Sequence, residues 1–257
     1  MEFIERNFIN TTTAIAVDSN TTSAKNMFTF DQRLQYVSDD YANDLTSTVI
    51  TISFDATTTV DRISMVEHNL KGFRLFYDGV TANAFSFTST AATTTSIYST
   101  NSETSQYFFT SQVDCTSVSL QMDSTMVADS EKAIGVFVLS ALKLDFPRIP
   151  NASGYTPRRV PKQVLHKMSD GGLRQHKSHD KWEVKLKFSD VTTSFRNSLF
   201  NTYEETDTRI YVPFGTSTGW DRIIFDAIWA NQFEFFKYSE NSTTQGFKGN
   251  IVLKERS

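Results

Sequence analysis

The sequence predicts a mainly β protein, in which a β-sandwich is followed by a smaller α+β domain. The 257 residues include 33 Thr, 28 Ser, 22 Phe and 9 Tyr, against 10 Gly and 5 Pro. Thr, Phe and Tyr are enriched in strands. Several segments before residue 146 alternate apolar and polar residues at period two, which is typical of half-buried strands. Four of the five prolines fall within 146–181, so regular structure is expected to break there.

The chain begins with a Thr- and Asn-rich stretch at 7–30, which we interpret as an extended arm or a first strand. The first strong strand signal is 49–54. There Ile50, Ile52 and Phe54 alternate with Thr and Ser, so one face is expected to be buried and the other to face solvent.

The sandwich is then completed by short strands separated by turns and polar loops. A turn is predicted at 57–59, and Asp78-Gly79 is a tight-turn dipeptide. The predicted strands are 60–66, 73–77, 84–88, 107–110, 117–122 and 134–144, with polar loops at 67–72 and 89–106. The last of these strands is apolar on both faces and is expected to be central. Seven or so short strands predict a β-sandwich over roughly 25–146.

The next segment, 147–180, is predicted to be a basic, Pro-containing linker or arm. Between Arg148 and Lys187 there are ten Lys and Arg against three Asp and Glu. A half-buried strand follows at 181–188, because apolar residues alternate there with charged ones.

The C-terminal part, 181–257, is predicted to be a small α+β domain with one helix. Ser189 or Asp190 is expected to cap a helix that ends near Glu204. Its buried stripe is predicted to consist of Phe195, Leu199 and Tyr203. Further strands are predicted at 209–213, 222–229, 233–238 and 247–253.

Charge is unevenly distributed along the chain. Residues 1–146 contain 8 Lys and Arg against 17 Asp and Glu, a balance of −9, and residues 147–257 contain 17 against 12, a balance of +5. Such asymmetry favours two domains with different surfaces. Two interpretations remain open: acidic-to-basic contacts between copies of the chain, or an incidental difference.

Motifs that would carry catalysis are missing from the sequence. Phosphate-loop, nucleophile-elbow and His-Glu-x-x-His motifs are absent, and we expect no enzyme activity and no cofactor. Cys115 is the only cysteine, and we interpret it as a small structural residue because no base lies nearby in the sequence. His166, His176 and His179 cluster in the basic segment. A solvated, interface-forming loop is favoured there over a metal site, because Arg174 and Lys177 would repel a cation.

Two further classes of partner are disfavoured by the sequence. The N-terminus lacks an apolar signal core and no run approaches 18 apolar residues, so we expect no membrane insertion. The C-terminal aromatic residues could stack on sugars or bases, but core packing is the favoured interpretation. The overall pI of about 5.6 also argues against nucleic acid as a partner.

Two stretches resemble a known family. The stretch 61–77, Asp-Arg-Ile-Ser-Met-Val-Glu-His-Asn-Leu-Lys-Gly-Phe-Arg-Leu-Phe-Tyr, is similar to the strand–His-Asn-Leu–strand unit of galactose-binding-like (discoidin-type) β-sandwiches in tail proteins of tailed bacteriophages. The stretch 132–139, Lys-Ala-Ile-Gly-Val-Phe-Val-Leu, resembles the return strand of that fold. More loosely, the C-terminal part is similar to the second domain of phage tail-tip and baseplate proteins. The resemblance implies a jelly-roll-like sandwich.

What the resemblance implies about function is a structural component of a phage tail tip or baseplate. Such a protein would be assembled in the host cytoplasm, reside in the virion, contact other tail proteins, and form a homo-oligomer such as a trimer or hexamer. The basic residues expected at its assembly interface are Arg148, Arg158, Arg159, Lys162, Arg174 and Lys177.

The alternative is a carbohydrate-binding module for host-surface glycans. Its expected ligand residues are His68, Asn69 and Trp220, although His68 and Asn69 could instead form hydrogen bonds with their own loop.

Overall fold

A computed structural model describes the protein over residues 1–9, 13–30, 34–39, 46–85, 87–88, 97–102, 104–147, 154–168, 172–205, 209–212, 224–238 and 246–256. Its strands are β1 (Glu2–Ile4), β2 (Ala14–Val17), β3 (Tyr36–Val37), β4 (Thr48–His68), β5 (Leu70–Tyr77), β6 (Phe87–Thr88), β7 (Ile97–Tyr98), β8 (Gln106–Thr125), β9 (Ala133–Ser140), β10 (Leu142–Asp145), β11 (Thr156–Lys167), β12 (Leu173–Val191), β13 (Arg209–Val212), β14 (Phe225–Trp229), β15 (Phe235–Lys237) and β16 (Phe247–Glu255). A short 3₁₀ helix spans Ala24–Phe28, and the described residues contain one α-helix, α1 (Thr193–Glu204).

The chain divides into two compact units. The sandwich unit comprises Glu2–Lys143 and Val212–Ile224, and the C-terminal unit comprises Met1, Leu144–Tyr211 and Phe225–Ser257. The domain boundaries predicted from the sequence, at 146/147 and 180/181, stay a prediction.

The sandwich unit is organised by two very long antiparallel strands, β4 and β8. Residues 48–53 of β4 pair with 117–122 of β8, and residues 58–65 pair with 106–115. On the first half of this ribbon, β2 pairs with β4 and β5 pairs with β8. On the second half, β9 pairs with β4 and β6 pairs with β8. We call the part built on 48–53 and 117–122 the first half and the part built on 58–65 and 106–115 the second half. The two halves are the two layers of the sandwich.

The sandwich core contains residues of both halves in one cluster. Ile50, Leu75 and Leu120 come from the first half, and Ile63 and Phe137 come from the second; all five are fully buried. Burying each such side chain contributes about 1.5–3 kcal/mol. The strand-forming composition and period-two pattern therefore predicted the β-sandwich correctly.

The turn predicted at 57–59 is absent, because β4 continues through it. The three threonines are β-branched residues that favour extended backbone. The pairing of β4 with β8 is instead irregular between Ser53 and Thr58, and this irregularity is where the ribbon passes from one half to the other. Of the two interpretations of the N-terminal stretch, a strand is present at 14–17, paired to β4.

The C-terminal unit contains the sheet order β13-β14-β16-β12-β11, with β15 also paired to β16. The segment predicted to be an irregular linker forms most of a hairpin, in which β11 pairs with β12 from Thr156↔Lys185 to Lys167↔Leu173. The prediction failed there because Pro157 and Pro161 were taken as breaks in regular structure. Proline is tolerated in an edge strand, and β11 is the edge strand of this sheet.

The helix α1 begins two or three residues later than predicted, since the expected cap was Ser189 or Asp190. Residues Ser189 and Asp190 continue β12, and Thr192 is the N-cap, its hydroxyl accepting a hydrogen bond from the Phe195 backbone N–H at 3.2 Å. The end of the helix at Glu204 agrees with the prediction. Its predicted stripe is buried at Phe195 and Leu199 and half-buried at Tyr203.

No helix among the described residues is long and apolar enough to cross a membrane.

Candidate functional site

A row of polar side chains covers the outer face of the first half of the sandwich. Along β8, Val118, Leu120 and Met122 are fully buried in the core. Because side chains alternate along a strand, the residues between them point away from the core. We call the polar residues on this outside the polar face, which consists of Ser47, Thr51, Arg74, Ser119, Gln121 and Asp123.

The polar face is held together by hydrogen bonds centred on Asp123. Its Oδ1 accepts from Ser47 Oγ at 2.8 Å and from Gln121 Nε2 at 2.7 Å. Gln121 Nε2 also donates to Ser47 Oγ at 3.3 Å. The Nε atom of Arg74 lies 3.9 Å from Asp123 Oδ2. These contacts fix a carboxylate, an amide and a guanidinium close to one another.

The strand register places these groups side by side. Arg74 of β5 is opposite Gln121 of β8, and Thr51 of β4 is opposite Ser119 of β8. The hydroxyls of Thr51 and Ser119 are 3.0 Å apart and form a hydrogen bond. Since three paired strands carry the polar face, its geometry is set before any ligand arrives, which lowers the entropic cost of binding.

The polar face is balanced in charge and partly open to solvent. The side chains of Arg74 and Asp123 are 33% and 29% exposed, and Ser47 is exposed. One positive and one negative group leave no net charge, which disfavours an ionic ligand. The face offers donors from Arg74 and acceptors from Asp123 and Gln121, and a hydroxyl group can both donate and accept. The chemistry therefore suits a neutral, hydroxyl-rich ligand.

The two residues predicted to bind carbohydrate lie elsewhere: His68 is the last residue of β4, and Asn69 connects β4 to β5. The side chain of Asn69 donates to Glu131 O at 2.6 Å and accepts from Ala133 N at 2.9 Å. His68 is 2% exposed and its Nδ1 accepts from Leu70 N at 3.2 Å. Both side chains thus form hydrogen bonds with backbone, His68 within its own connection and Asn69 with the distant residues 131 and 133, and a ligand role for them stays a prediction.

The third residue of that set, Trp220, lies outside the described residues, as does Arg148 of the predicted assembly interface.

The described side chains of the predicted interface are those of Arg158 and Arg159, both exposed on β11. Arg158 forms an ion pair with Glu183, and the Arg159 guanidinium stacks over the Trp182 ring at 4.7 Å from its centroid. The backbone of Lys162 lies in β11 and that of Arg174 and Lys177 lies in β12. Among the described residues, no group of three His, Cys, Asp or Glu is placed to hold a metal ion.

Cys115 lies where β8 passes between the two halves. It is 1% exposed and its thiol donates to Thr58 O at 3.7 Å. Burial, with the nearby carboxylates of Asp78 and Asp114, raises the pKa of the Cys115 thiol to about 12. A thiol with such a pKa is protonated at neutral pH and is a poor nucleophile.

The polar face was missed by sequence reasoning, although a signal for it was present. The strand at 117–122 was predicted, and its polar positions were assigned to solvent as a group. Position 121 is a planar amide and position 123 a carboxylate, whereas serine occupies 117 and 119. A change along one strand face from short hydroxyl groups to longer planar groups indicates a ligand-binding site. The overall Thr and Ser content of the chain gives no such indication.

Comparison with known proteins found solved structures but no matching family model and no matching curated protein. The chain is similar to chitosan-binding module 1 of a chitosanase/glucanase from Paenibacillus sp. IK-5, with 12% identity, a TM-score of 0.40, and coverage of 52% of this chain and 97% of that one. It is also similar to a module of a family 31 glycoside hydrolase from Clostridium perfringens, with 14% identity, a TM-score of 0.33 and coverage of 49% and 93%.

A third similar structure is a pectin-binding carbohydrate-binding module, with 13% identity, a TM-score of 0.33 and coverage of 49% of this chain and 88% of that one. The structural neighbours are thus carbohydrate-binding modules. None of these three is described as a phage tail or baseplate protein, so that part of the sequence resemblance stays a prediction.

Proposed function

We propose that this chain is a non-catalytic carbohydrate-binding protein and that the polar face of the sandwich unit contacts the sugar. The observation that carries the proposal is the network around Asp123, in which a carboxylate, an amide and a guanidinium are held together on rigid strands. The site residues therefore differ from the His68, Asn69 and Trp220 expected from the sequence.

The chemistry of the polar face matches that of a sugar. Neighbouring hydroxyls of a pyranose can donate to Asp123 and to the carbonyl of Gln121 while accepting from Arg74. The Arg74 side chain is 33% exposed, so its guanidinium is within reach of a ligand hydroxyl. Hydrogen bonds to charged groups are worth about 1.5–3 kcal/mol each, and a few of them on a preorganised face suffice for weak to moderate affinity.

The test is a titration of the full chain with defined glycans by calorimetry, together with a glycan array. Neutral oligosaccharides serve as the first probes, and chitosan oligosaccharides and pectin fragments, which carry charge, are expected to bind more weakly. We expect binding that is lost in Asp123→Ala and in Gln121→Ala. The matched control is Asp55→Asn, which changes an exposed acidic residue of β4 outside the polar face and is expected to leave binding unchanged.

Thermal unfolding of each variant accompanies the titration, because loss of the fold would also abolish binding. Absence of binding to every glycan tested, or binding that survives both substitutions in folded protein, contradicts the proposal. New reducing ends in the glycan after incubation would contradict its non-catalytic part.

A structural role in a phage tail tip or baseplate is the second candidate function. It is favoured by one observation in the structure, the basic hairpin formed by β11 and β12, which contains five of the six residues expected at an assembly interface. Electron microscopy of purified virus particles with an antibody against this chain tests it. Labelling of the tail is expected, and particles without the chain would refute it.

A further inference from the structure

The outer part of the β11–β12 hairpin is a two-stranded ribbon. Strand β12 pairs with β16 only over Glu183–Val191, whereas its pairing with β11 runs on to Leu173. Within the described part of the sheet, residues 173–182 therefore have β11 as their one neighbouring strand. We call residues 159–167 and 173–182 the basic ribbon.

The basic ribbon has a strong positive charge. It contains six Lys and Arg and one acidic residue, Asp180, together with three histidines. The register places Lys162 opposite His179 and His166 opposite Arg174. With its histidines neutral the ribbon has an excess of five positive charges, and an external anionic surface would compensate their mutual repulsion.

Protection of a sheet edge does not account for this charge pattern. Charged residues and prolines on edge strands prevent pairing with other chains, and Pro157 and Pro161 already do so on β11. This excess of positive charge adds an energetic cost that such protection does not require.

The base of the ribbon carries an ordered cationic group. Arg159 is exposed, and its guanidinium lies 4.7 Å from the centroid of the Trp182 ring. A stacked guanidinium keeps its planar set of donors free for a carboxylate. Because the stacking orders the side chain in advance, less entropy is lost when an acidic partner binds.

The sandwich unit presents acidic groups of the matching kind. Asp55, Asp78 and Asp114 are exposed on the segments 54–59, 77–80 and 111–117, and these segments contain no Lys or Arg. We call these three residues the acidic corner. Thr116 Oγ1 donates to Asp78 Oδ1 at 2.9 Å, and Asp114 is two positions before Thr116 on β8, so Asp78 and Asp114 lie on the same face of that strand.

We propose that the basic ribbon of one copy of this chain binds the acidic corner of a second copy. Such a contact joins two different surfaces and is heterologous, so repeated use of it produces a ring or a filament rather than a closed pair. The inference is independent of the carbohydrate proposal, because neither surface includes the polar face.

The experiment is a charge exchange followed by light scattering after size exclusion, at about 50 mM and about 500 mM salt. One variant carries Lys162→Glu, Lys167→Glu and Lys177→Glu, which change the ribbon's balance from +5 to −1, and the other carries Asp55→Lys and Asp114→Lys in the corner. The unmodified chain is expected to associate at low salt and to dissociate at high salt. Each variant alone is expected to weaken association about 100-fold, because like charges are then juxtaposed.

Mixing the two variants is the decisive step, since the acidic ribbon of one then meets the basic corner of the other and association should return. The matched control, Lys25→Glu with Lys71→Glu and Lys143→Glu, makes the same change in net charge as the ribbon variant at exposed residues outside the ribbon and should associate normally. A chain that stays monomeric at low salt, or an equal loss in the control, overturns the proposal. A monomer that binds DNA or heparin through the ribbon also overturns it.

Discussion

Replacing Asn69 with alanine should destabilise the sandwich unit rather than remove a ligand contact. Asn69 joins the β4–β5 connection to the segment before β9 through both polar atoms of its side chain. Its backbone contributes as well, with N–H donating to Ala133 O at 3.2 Å and C=O accepting from Met126 N at 2.8 Å. Alanine keeps the backbone bonds and removes the two bonds of the side chain.

The expected loss follows from those two bonds. Each is partly buried, and leaving Glu131 O and Ala133 N unpaired costs about 1–1.5 kcal/mol apiece. The free energy of unfolding should therefore fall by about 2–3 kcal/mol. For a protein of this size that corresponds to a decrease in Tm of about 4–12 °C.

The assay is thermal unfolding followed by circular dichroism, with urea unfolding as a second measure. The matched variant is Asn69→Asp, which keeps the acceptor for Ala133 N and loses the donor to Glu131 O. Because its carboxylate faces the carbonyl of Glu131 where the amide donated, N69D should also be destabilised at neutral pH. An unchanged Tm in N69A, with loss of glycan binding, would refute this reasoning.

Three further outcomes are expected. The backbone N–H of Thr116 lowers the pKa of Asp78, so Asp78→Asn should cost less than about 1 kcal/mol at neutral pH. This deficit should vanish as pH falls through the lowered pKa, which urea unfolding across pH would show. Cys115, with its raised pKa, should react with a thiol reagent only after unfolding. A Cβ on Gly249 would lie 2.5 Å from Glu234 O, so Gly249→Ala should lower unfolding free energy by about 1–3 kcal/mol.

Gly79 provides the control for the Gly249→Ala prediction. Its φ is +67° and no atom lies within 4 Å of an added Cβ. Asn tolerates this left-handed conformation, so Gly79→Asn should cost less than about 1 kcal/mol. Rapid labelling of Cys115 in the native protein would contradict the second expectation. A loss of unfolding free energy in D78N that grows on acidification would contradict the first.

The strands could be predicted from local patterns because burial on one face determines them. The alternation around Ile50 and Ile52, and the apolar run that became β9, required no knowledge of pairing partners. The beginning of α1 was less predictable, since Ser189, Asp190 and Thr192 are all residues that favour a cap. Because β12 pairs with β16, the strand continues through Ser189 and Asp190, and Thr192 becomes the cap.

The hairpin in 156–191 and the polar face depend on long-range pairing, which local sequence does not contain. Whether Pro157 breaks a strand depends on which edge of the strand is free, and that is known only once β12 is paired. Likewise, Arg74 and Gln121 are 47 positions apart in the sequence and become neighbours only through the register of β5 with β8.

The continuity of β4 and β8 has a consequence for how the protein opens. Each strand contributes to both layers of the sandwich, so neither layer can detach without extracting residues from the other. We therefore expect the slowest-exchanging amide hydrogens of the two layers to exchange together in one cooperative unit. Protection that separates by layer in native-state hydrogen exchange would show that the irregularity between Ser53 and Thr58 acts as a hinge between independent parts.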